Sequence, residues 1–314
     1  MSSLIEQAAA RLEALRSAGV EKTGVSAHAA PAVQSAPKHG VREKHALRQN
    51  PQALPPSTKS DTSTQRSKFS TKHVDFDFDA LATSGIVSPN APRSQIADEY
   101  RVLKRPLIAN ALGKGAAPIE KGNLIMITSA LSGEGKSFTA INLAMSMATE
   151  MDNTVMLVDA DVARPSVLRM LGLPPSPGLL DVLASDSVDI SEVLLRTNVG
   201  KLTLLPSGTK HERATELLAS DAMSRLLDDM ANRYPDRIII FDSPPLLLTT
   251  ESRVLATHMG QIVVVVKAAN TSQDEVKHAL SMIESCPVKM MLLNQTRSGI
   301  NHNYGYGYGY GHDA

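Results

Sequence analysis

A glycine-containing loop in the middle of the chain carries the residue types that bind phosphate. Residues 124–127 form a continuous apolar run, which predicts a strand buried on both faces, and the sequence SGEGKS and a helical apolar pattern follow. Glycines let successive backbone N–H groups face phosphate oxygens, and the N-terminus of the next helix adds partial positive charge. We therefore predict that a nucleotide binds to the loop residues Ser132, Gly133, Glu134, Gly135, Lys136, Ser137 and Phe138.

Two side chains of this loop have distinct roles in the predicted chemistry. Lys136 would reach the β- and γ-phosphates of ATP as a catalytic residue, and the Ser137 hydroxyl would ligate Mg²⁺. The general phosphate-loop pattern places a glycine where this chain has Ala130. A chance glycine-rich turn is the alternative, but the succession of strand, loop and helix favours a phosphate site.

Aspartates stand at the ends of two further apolar runs. Residues 154–158 lead into Asp159 and Asp161, and residues 237–241 lead into Asp242. Because ligands of parallel sheets bind beyond the carboxyl ends of the strands, we expect these carboxylates to converge on the phosphate loop. Aspartate is also common in turns, but three aspartates in this register with a phosphate loop favour a site.

The carboxylates meet two requirements of phosphoryl transfer. Mg²⁺ takes hard oxygen ligands, and we assign it to Ser137, Asp161 and Asp242. A base must accept the proton of the attacking hydroxyl, and either Asp159 or Asp161 is placed for that role. Arg164 is a further catalytic candidate that would contact phosphate or a neighbouring subunit, and a surface ion pair is the alternative.

The remaining pattern predicts the fold class. Apolar strands alternate with helices behind the loop, which is typical of an α/β, P-loop NTPase fold with a mostly parallel, doubly wound sheet and helices on both faces. The predicted strands cover residues 124–127, 154–159, 202–205, 237–242, 261–267 and 289–294, and predicted helices cover 95–107 and 222–232. An alternation of apolar and acidic residues predicts a short edge strand at 74–79.

Composition divides the chain into four segments. Residues 1–19 have apolar side chains at three- and four-residue spacing, which predicts an amphipathic helix that docks to a partner or packs on its own domain. Residues 20–73 are rich in Pro, Ala, Ser and Thr and predict a disordered linker. Residues 1–73 together carry 11 Lys and Arg against 5 Asp and Glu. Residues 74–298 form the P-loop domain, and residues 299–314 form a flexible tail rich in Gly and Tyr.

Properties of the whole chain narrow the classes of function. The net charge is zero, so charge gives no reason to expect binding to nucleic acid. The single cysteine excludes an intrachain disulfide. The sequence shows neither a signal-peptide pattern nor an apolar run of about 20 residues that would span a membrane. We expect a cytoplasmic protein that a partner recruits to the inner face of the plasma membrane.

The tail is rich in possible phosphate acceptors. Tyr304, Tyr306, Tyr308 and Tyr310 alternate with glycines, and they are four of the six tyrosines in the chain. Glycine at every second position disfavours stable packing and leaves each phenol accessible to the active site of another subunit. A tail that is never phosphorylated is the alternative.

Three motifs together resemble those of a known family. SGEGKS at 132–137, VDADVARP at 158–165 and IIFDSPP at 239–245 resemble the Walker A, Walker A′ and Walker B motifs of the bacterial tyrosine kinases, or BY-kinases. The resemblance runs from about residue 90 to the C-terminus. The opening helix and linker are similar to those of stand-alone kinases associated with exosortase-type exopolysaccharide loci.

This resemblance implies an activity, cofactors and partners. BY-kinases use ATP and Mg²⁺ to phosphorylate their own tyrosines in trans, commonly as rings, and they regulate capsule and exopolysaccharide export. A membrane polysaccharide co-polymerase, or chain-length protein, is the implied activator. The series Asp98, Arg101 and Lys104 resembles the family's E-x-x-R-x-x-R oligomer motif, with two of its three positions substituted. An exposed helix face with internal ion pairs is the alternative.

Two other functions share the predicted fold. A MinD/ParA-like ATPase would act as a spatial regulator, but such proteins carry a signature lysine where this chain has Leu131. A scaffold without catalysis is the second alternative, and the complete set of lysine, serine and aspartates disfavours it. If the chain is an ATPase, it should hydrolyse ATP without forming phosphotyrosine. If it is a kinase, it should form phosphotyrosine, and this activity should depend on Lys136.

Overall fold

The computed structural model describes residues 72–89, 94–233 and 236–296. These residues lie within one compact unit, Gln65–Ala314. The predicted N-terminal helix, nearly all of the predicted linker and the tyrosine-rich tail lie outside the described residues. The first described strand begins at Lys72, two residues before the predicted start of the P-loop domain at 74.

An eight-stranded sheet forms the centre of the described part of the chain. Its strands follow the order β1-β4-β5-β3-β6-β2-β7-β8, and every neighbouring pair is parallel except β4 and β5. The mostly parallel sheet predicted from sequence is therefore confirmed. The strands are β1 (Lys72–Val74), β2 (Leu124–Ser129), β3 (Thr154–Asp159), β4 (Leu195–Thr197), β5 (Leu202–Leu205), β6 (Arg237–Asp242), β7 (Gln261–Lys267) and β8 (Val288–Asn294).

Helices cover both faces of this sheet. Side chains of α1–α4 contribute to the apolar core on one face, and side chains of α5–α10 contribute to the core on the other. The helices are α1 (Phe78–Thr83), α2 (Gln95–Ala111), α3 (Lys136–Ala148), α4 (Val167–Met170), α5 (Leu179–Ala184), α6 (Ile190–Val193), α7 (Ala214–Leu218), α8 (Asp221–Arg233), α9 (Glu251–Ala256) and α10 (Gln273–Ser281).

The central strands are buried on both faces, which explains why their sequences are continuously apolar. In β2, Ile125 and Ile127 belong to the core with α1–α4, whereas Leu124 and Met126 belong to the core with α5–α10. Successive side chains of a strand point to opposite faces, so a strand between two cores needs apolar residues at every position. The sequence therefore located the bounds of six strands to within two residues.

Two sequence-based predictions of elements were wrong or incomplete. Residues 74–79 do not form an edge strand, because β1 ends at Val74 and Asp77 caps α1. The Asp77 carboxylate accepts hydrogen bonds from the backbone N–H groups of Asp79 and Ala80, each at 3.1 Å, and such a cap favours the start of a helix. The three-residue strand β4 was not predicted, because it is too short to show a periodic pattern.

Candidate active site

The phosphate loop connects β2 to α3 at the carboxyl edge of the sheet. Gly133 and Gly135 have φ angles of 82° and 97°, a left-handed conformation that residues with side chains rarely adopt. A side chain at Gly135 would also collide with Asn294. The α3 helix begins at Lys136, so the loop N–H groups lead directly into a helix N-terminus that favours anions. The local structure is the strand, glycine loop and helix expected from sequence.

Lys136 lies among three aspartates at the carboxyl ends of β3 and β6. Its Nζ is 2.7 Å from Oδ2 of Asp161 and 3.9 Å from Oδ1 of Asp242. Asp159 on β3 stands opposite Asp242 on β6 in the sheet register, and each of the three aspartates is at most 3% exposed. The structure therefore brings the P-loop lysine together with all three sequence-predicted carboxylates.

Asp242 is a buried carboxylate whose oxygens have no hydrogen-bond partner in the structure. Burial raises its pKa to about 7, and the positive charge of Lys136 and the nearby Ser137 hydroxyl, which does not reach hydrogen-bond geometry, oppose that rise. Unsatisfied buried carboxylate oxygens beside a hydroxyl fit the ligand preference of a hard cation. No cluster of three or more His, Cys, Asp or Glu side chains forms a metal cage in the described part of the chain, and Mg²⁺ commonly binds through few protein ligands together with water and phosphate.

The two oxygens of Asp159 have different surroundings. Oδ2 accepts hydrogen bonds from the backbone N–H groups of Ser166 and Val167, at 3.1 and 3.0 Å. Oδ1 is buried and has no hydrogen-bond partner. Burial raises the pKa of Asp159 to about 6, and the two backbone hydrogen bonds oppose that rise. Asp159 is thus held in place by one oxygen while the other is available to accept a proton.

Asp161 uses both oxygens in contacts within the chain. Oδ2 accepts from Lys136, and Oδ1 accepts from the backbone N–H of Arg164 at 3.1 Å. A role for Asp161 as a metal ligand would require Lys136 to move to a phosphate group. The Arg164 side chain is exposed, so its contact with phosphate or a neighbouring subunit stays a prediction.

Glu134 holds the loop in place with a buried side chain. The residue is 1% exposed, and its carboxylate accepts hydrogen bonds from the backbone N–H groups of Leu131 and Lys267 and from the Thr271 hydroxyl. These donors connect the loop to the end of β7 and to the segment that precedes α10. The Glu134 side chain therefore shapes the loop, and only its backbone is placed to contact a nucleotide. The Phe138 ring packs against the core of α1–α4, so for this residue too only the backbone is placed to contact a nucleotide.

We expect Glu134→Gln to weaken ATP binding about tenfold, because a neutral amide cannot accept hydrogen bonds from all three donors. Titration with a fluorescent ATP analogue measures the dissociation constant. Glu216→Gln, at an exposed position on α7, is the matched control and should bind as the wild type does. Equal affinity in both variants would show that the Glu134 contacts do not hold the loop.

Two side-chain amides that the sequence analysis did not identify donate hydrogen bonds to backbone carbonyls of the phosphate loop. Asn294 Nδ2 donates to the backbone carbonyl of Glu134 at 2.9 Å, and Gln295 Nε2 donates to that of Gly133 at 3.2 Å. Both residues stand at the carboxyl end of β8. A polar residue at the end of an apolar run was the signal that identified Asp159 and Asp242, and the same signal marks Asn294. These contacts connect the phosphate loop to the last described residues before the tail.

The three residues on α2 that were predicted to contact a neighbouring subunit differ in solvent exposure. Asp98 and Arg101 are exposed and pair with each other along the helix. Lys104 is 4% exposed, and its Nζ donates to the Ser146 carbonyl and pairs with Glu150 Oε1, each at 2.6 Å. Lys104 therefore stabilises the C-terminal end of α3, where a cation is favourable. An oligomer contact through Lys104 would require this ion pair to open, so a role in assembly is better placed on Asp98 and Arg101.

A family model described as an AAA domain (AAA_31) matches residues 122–295, which is more than half of the chain. The chain belongs to this AAA-domain family. The match covers the phosphate loop, the three aspartates and the amides at the end of β8. The P-loop of this AAA domain is thus a nucleotide-binding loop.

Bacterial tyrosine kinases are among the relatives of this AAA domain. Tyrosine-protein kinase YwqD of Bacillus subtilis (strain 168) is 29% identical over 206 residues, which cover 66% of this chain and 83% of that protein. Tyrosine-protein kinase ptk of Acinetobacter johnsonii is 32% identical over 170 residues, which cover 54% of this chain but only 23% of that longer protein. The resemblance predicted from the three motifs is confirmed.

A solved structure shares the fold of this chain. The crystal structure of the chimerical protein CapA2B2 is 26% identical, with a TM-score of 0.55, and the match covers 70% of this chain and 92% of that one. The match to a nearly complete solved chain confirms the P-loop fold of this AAA domain.

Proposed function

We propose that this chain is an ATP-dependent protein-tyrosine kinase that phosphorylates Tyr304, Tyr306, Tyr308 and Tyr310 of a second copy. The observation that carries the proposal is the convergence of Lys136 with three buried aspartates, two of which have raised pKa values and unpartnered oxygens. Buried carboxylates of this kind lower the stability of a fold, and groups with such a cost are typical of sites that bind a ligand or catalyse a reaction. The tyrosine-protein kinases among the relatives support the choice of tyrosine as acceptor.

Nucleotide binding would rearrange the ion pair of Lys136. In the structure its ammonium is paired with Asp161. The β- and γ-phosphates of ATP carry more negative charge than one carboxylate, so they would draw the ammonium away from Asp161. In a site that is largely closed to water, this ammonium would then stabilise the charge that develops during transfer.

The surroundings of Ser137 and Asp242 fit Mg²⁺. Asp242 presents two buried oxygens without hydrogen-bond partners, and Asp161 would become a third candidate ligand once Lys136 has moved. Bound there, Mg²⁺ would neutralise part of the charge on the phosphate oxygens of ATP. The protein's own contribution is to hold these oxygens at the edge of the sheet before the nucleotide arrives.

Asp159 is the better of the two candidate bases. Oδ1 of Asp161 accepts from the backbone N–H of Arg164, and its Oδ2 would be available to Mg²⁺ once Lys136 has moved, whereas Oδ1 of Asp159 has no hydrogen-bond partner. Its raised pKa of about 6 leaves it largely ionised at neutral pH and yet more basic than an ordinary carboxylate, which suits a general base. Asp159 would take the phenolic proton as the tyrosine oxygen bonds to the γ-phosphorus and ADP leaves.

A mixing experiment tests the kinase activity and also whether phosphate is transferred between two chains or within one chain. One chain carries Lys136→Met, and the other keeps Lys136 but has Phe in place of the four tail tyrosines. Each alone should gain no phosphotyrosine with ATP and Mg²⁺, and the mixture should gain it on the Lys136→Met chain only. A wild type that is labelled while the mixture is not would show transfer within one chain. A wild type that hydrolyses ATP without labelling would show that the chain is not a tyrosine kinase.

We place this activity in the regulation of capsule or exopolysaccharide synthesis and export. A membrane co-polymerase or chain-length protein would be the activator, and residues 1–19 would contribute to docking on it. No helix in the described residues is long and apolar enough to span a membrane. Asp98 and Arg101, exposed on α2, would contribute to a ring of subunits, in which Arg164 would contact phosphate or a neighbour.

A further inference from the structure

The last strand of the sheet, β8, has an apolar outer edge. In the described part of the chain β8 pairs with β7 on one side and ends the sheet on the other, so its outer backbone groups have no partner strand there. Met291 and Leu293 on β8 are 63% and 61% exposed, and Val102 on α2 is 71% exposed. Three of the five exposed large apolar side chains of the described residues thus belong to β8 and α2.

An apolar groove lies between β8 and α2 beside this edge. Its cavity has a volume of about 310 Å³. Val102, Leu103 and Pro106 line it from α2, and Met290 and Leu292 line it from β8. The groove is therefore large enough for aromatic side chains and offers them apolar contacts on two sides.

The usual protection of an edge strand is weak in β8. Edge strands commonly carry charged residues, proline or bulges that prevent pairing with another segment. Lys289 is the one charged residue of β8, and its ammonium donates to the backbone carbonyls of Cys286 at 2.6 Å and Glu284 at 3.2 Å. Both carbonyls precede the strand, so the lysine leaves the rest of the edge, residues 290–294, without a charge. An exposed apolar edge of this kind is typical of a surface that binds another segment.

We propose that the segment 304–310 of the same chain covers this edge as a ninth strand, antiparallel to β8, with its tyrosine rings in the groove against α2. The proposal goes beyond the kinase function, because it gives the tail a position on its own domain when no transfer takes place. It also assigns a role to Val102, Met290 and Leu292, which belong to none of the three motifs.

The path of the chain favours the tail as the occupant. Gln295, directly after β8, has a φ angle of 56°, a left-handed conformation that ends the extended path of the strand. Residues 295–303 connect β8 to Tyr304 and are long enough to turn back to a position about 5 Å away. Residues 1–19 are instead joined through residues 20–71 to β1, at the opposite end of the sheet. Because the entropic cost of closing a loop rises with its length, the tail is the favoured segment.

The pattern of the tail fits a strand on this edge. The segment 304–310 has seven residues, as β8 has, and none of its residues is charged. Side chains alternate along a strand, so all four tyrosines would lie on the side of the groove. Glycine disfavours a strand, so the rings must stabilise the pairing. Aromatic rings pack well against apolar side chains of a neighbouring strand, and contacts with methionine sulfur are favourable.

Phosphorylation would release the tail from the groove. A phosphate adds about −1.5 to −2 charges to each tyrosine, and a charge of this size is costly to bury in an apolar groove. Phosphates on one side of a strand would also repel each other. The groove would therefore bind the unmodified tail, limit how often its tyrosines are available to a second copy, and not bind the tail again after transfer.

Hydrogen exchange of the full chain without ATP, followed by mass spectrometry, tests the proposal. The parent chain carries Lys136→Met, so it keeps its tail tyrosines and does not phosphorylate them itself. One variant adds Val102→Lys at the exposed rim of the groove, and the other has Ser in place of the four tail tyrosines. The matched controls are Met151→Lys, at an exposed apolar residue that does not line the groove, and Phe in place of the four tyrosines, which keeps the rings.

We expect both variants to exchange about tenfold faster than the parent at the N–H groups of residues 288–294 that do not bond to β7. An N–H group that is bonded to the tail exchanges only when the tail leaves. Val102→Lys should have the same effect on residues 304–310, and both controls should behave as the parent does. Unchanged exchange of β8 in both variants would show that the tail does not cover the edge.

Other occupants of the edge give different results. If β8 loses protection when the chain is diluted, a second copy covers the edge and the proposal fails. If Val102→Lys speeds exchange but the four serines do not, another segment such as residues 1–19 covers it, and the proposal fails as well. These measurements contain no ATP, so they decide the position of the tail separately from the kinase function. A tail that docks in a chain without kinase activity would contradict the kinase function alone.

Discussion

Lys136→Met is expected to lower the rate of tyrosine autophosphorylation by about 10³-fold or more, because it removes the ammonium that stabilises charge during transfer. In the structure this ammonium is the cation beside Asp161 and Asp242. Methionine has a similar length but carries no charge, so packing is largely retained. Initial rates of phosphotyrosine formation, measured with saturating ATP and Mg²⁺, provide the readout.

Lys277→Met is the matched control for this prediction. Lys277 is exposed on α10 and pairs with Asp274 at the surface, so its loss should leave the rate within about twofold. A Lys136→Met chain that folds and keeps more than a tenth of the wild-type rate would show that the lysine is not part of the transfer machinery.

Asp242→Asn is expected to raise the free energy of unfolding at pH 8 by about 4 kcal/mol while it abolishes phosphotransfer. Burial raises the pKa of Asp242 from 3.8 to about 7 in the folded chain. The folded state therefore binds the proton more tightly than the unfolded chain does. The resulting stability is fully present below about pH 4 and is lost as the pH rises through about 7. Asparagine has no charge to bury, so the variant avoids this loss.

Urea unfolding without nucleotide, at pH 5 and at pH 8, measures this effect. The wild type should lose stability between the two pH values, and Asp242→Asn should lose less. Asp159 adds to the pH dependence with the same sign, because its pKa is raised to about 6. Asp274→Asn, at a position exposed on α10, should follow the wild type. If Asp242→Asn is less stable than the wild type at pH 8, the burial of the ionised Asp242 carboxylate does not destabilise the folded chain, and the account of this residue is contradicted.

Local pattern was enough to predict the phosphate loop and the three aspartates. A strand buried on both faces is a run of apolar residues, and the first polar residue after it lies at the carboxyl edge of the sheet. This rule locates Asp159 and Asp242 from the order of residue types alone. The loop itself needs left-handed residues, and Gly133 and Gly135 identify it in sequence.

Contacts between distant parts of the chain could not be predicted in the same way. Lys104 was predicted to contact a neighbouring subunit, but it pairs with Glu150, and that contact depends on how α2 packs against α3. The partners of Glu134 at Lys267 and Thr271 lie more than 130 residues away along the chain. The segment at 74–79 was misread, because alternation alone does not distinguish a strand from a loop residue that caps a helix.

Peptide-resolved mass spectrometry of the purified chain, after incubation with ATP and Mg²⁺, tests the kinase activity and its acceptor most directly. We predict phosphate on Tyr304, Tyr306, Tyr308 or Tyr310 in the wild type and none in Lys136→Met. Hydrolysis of ATP without any phosphotyrosine would contradict the proposed function and would favour a MinD/ParA-like ATPase.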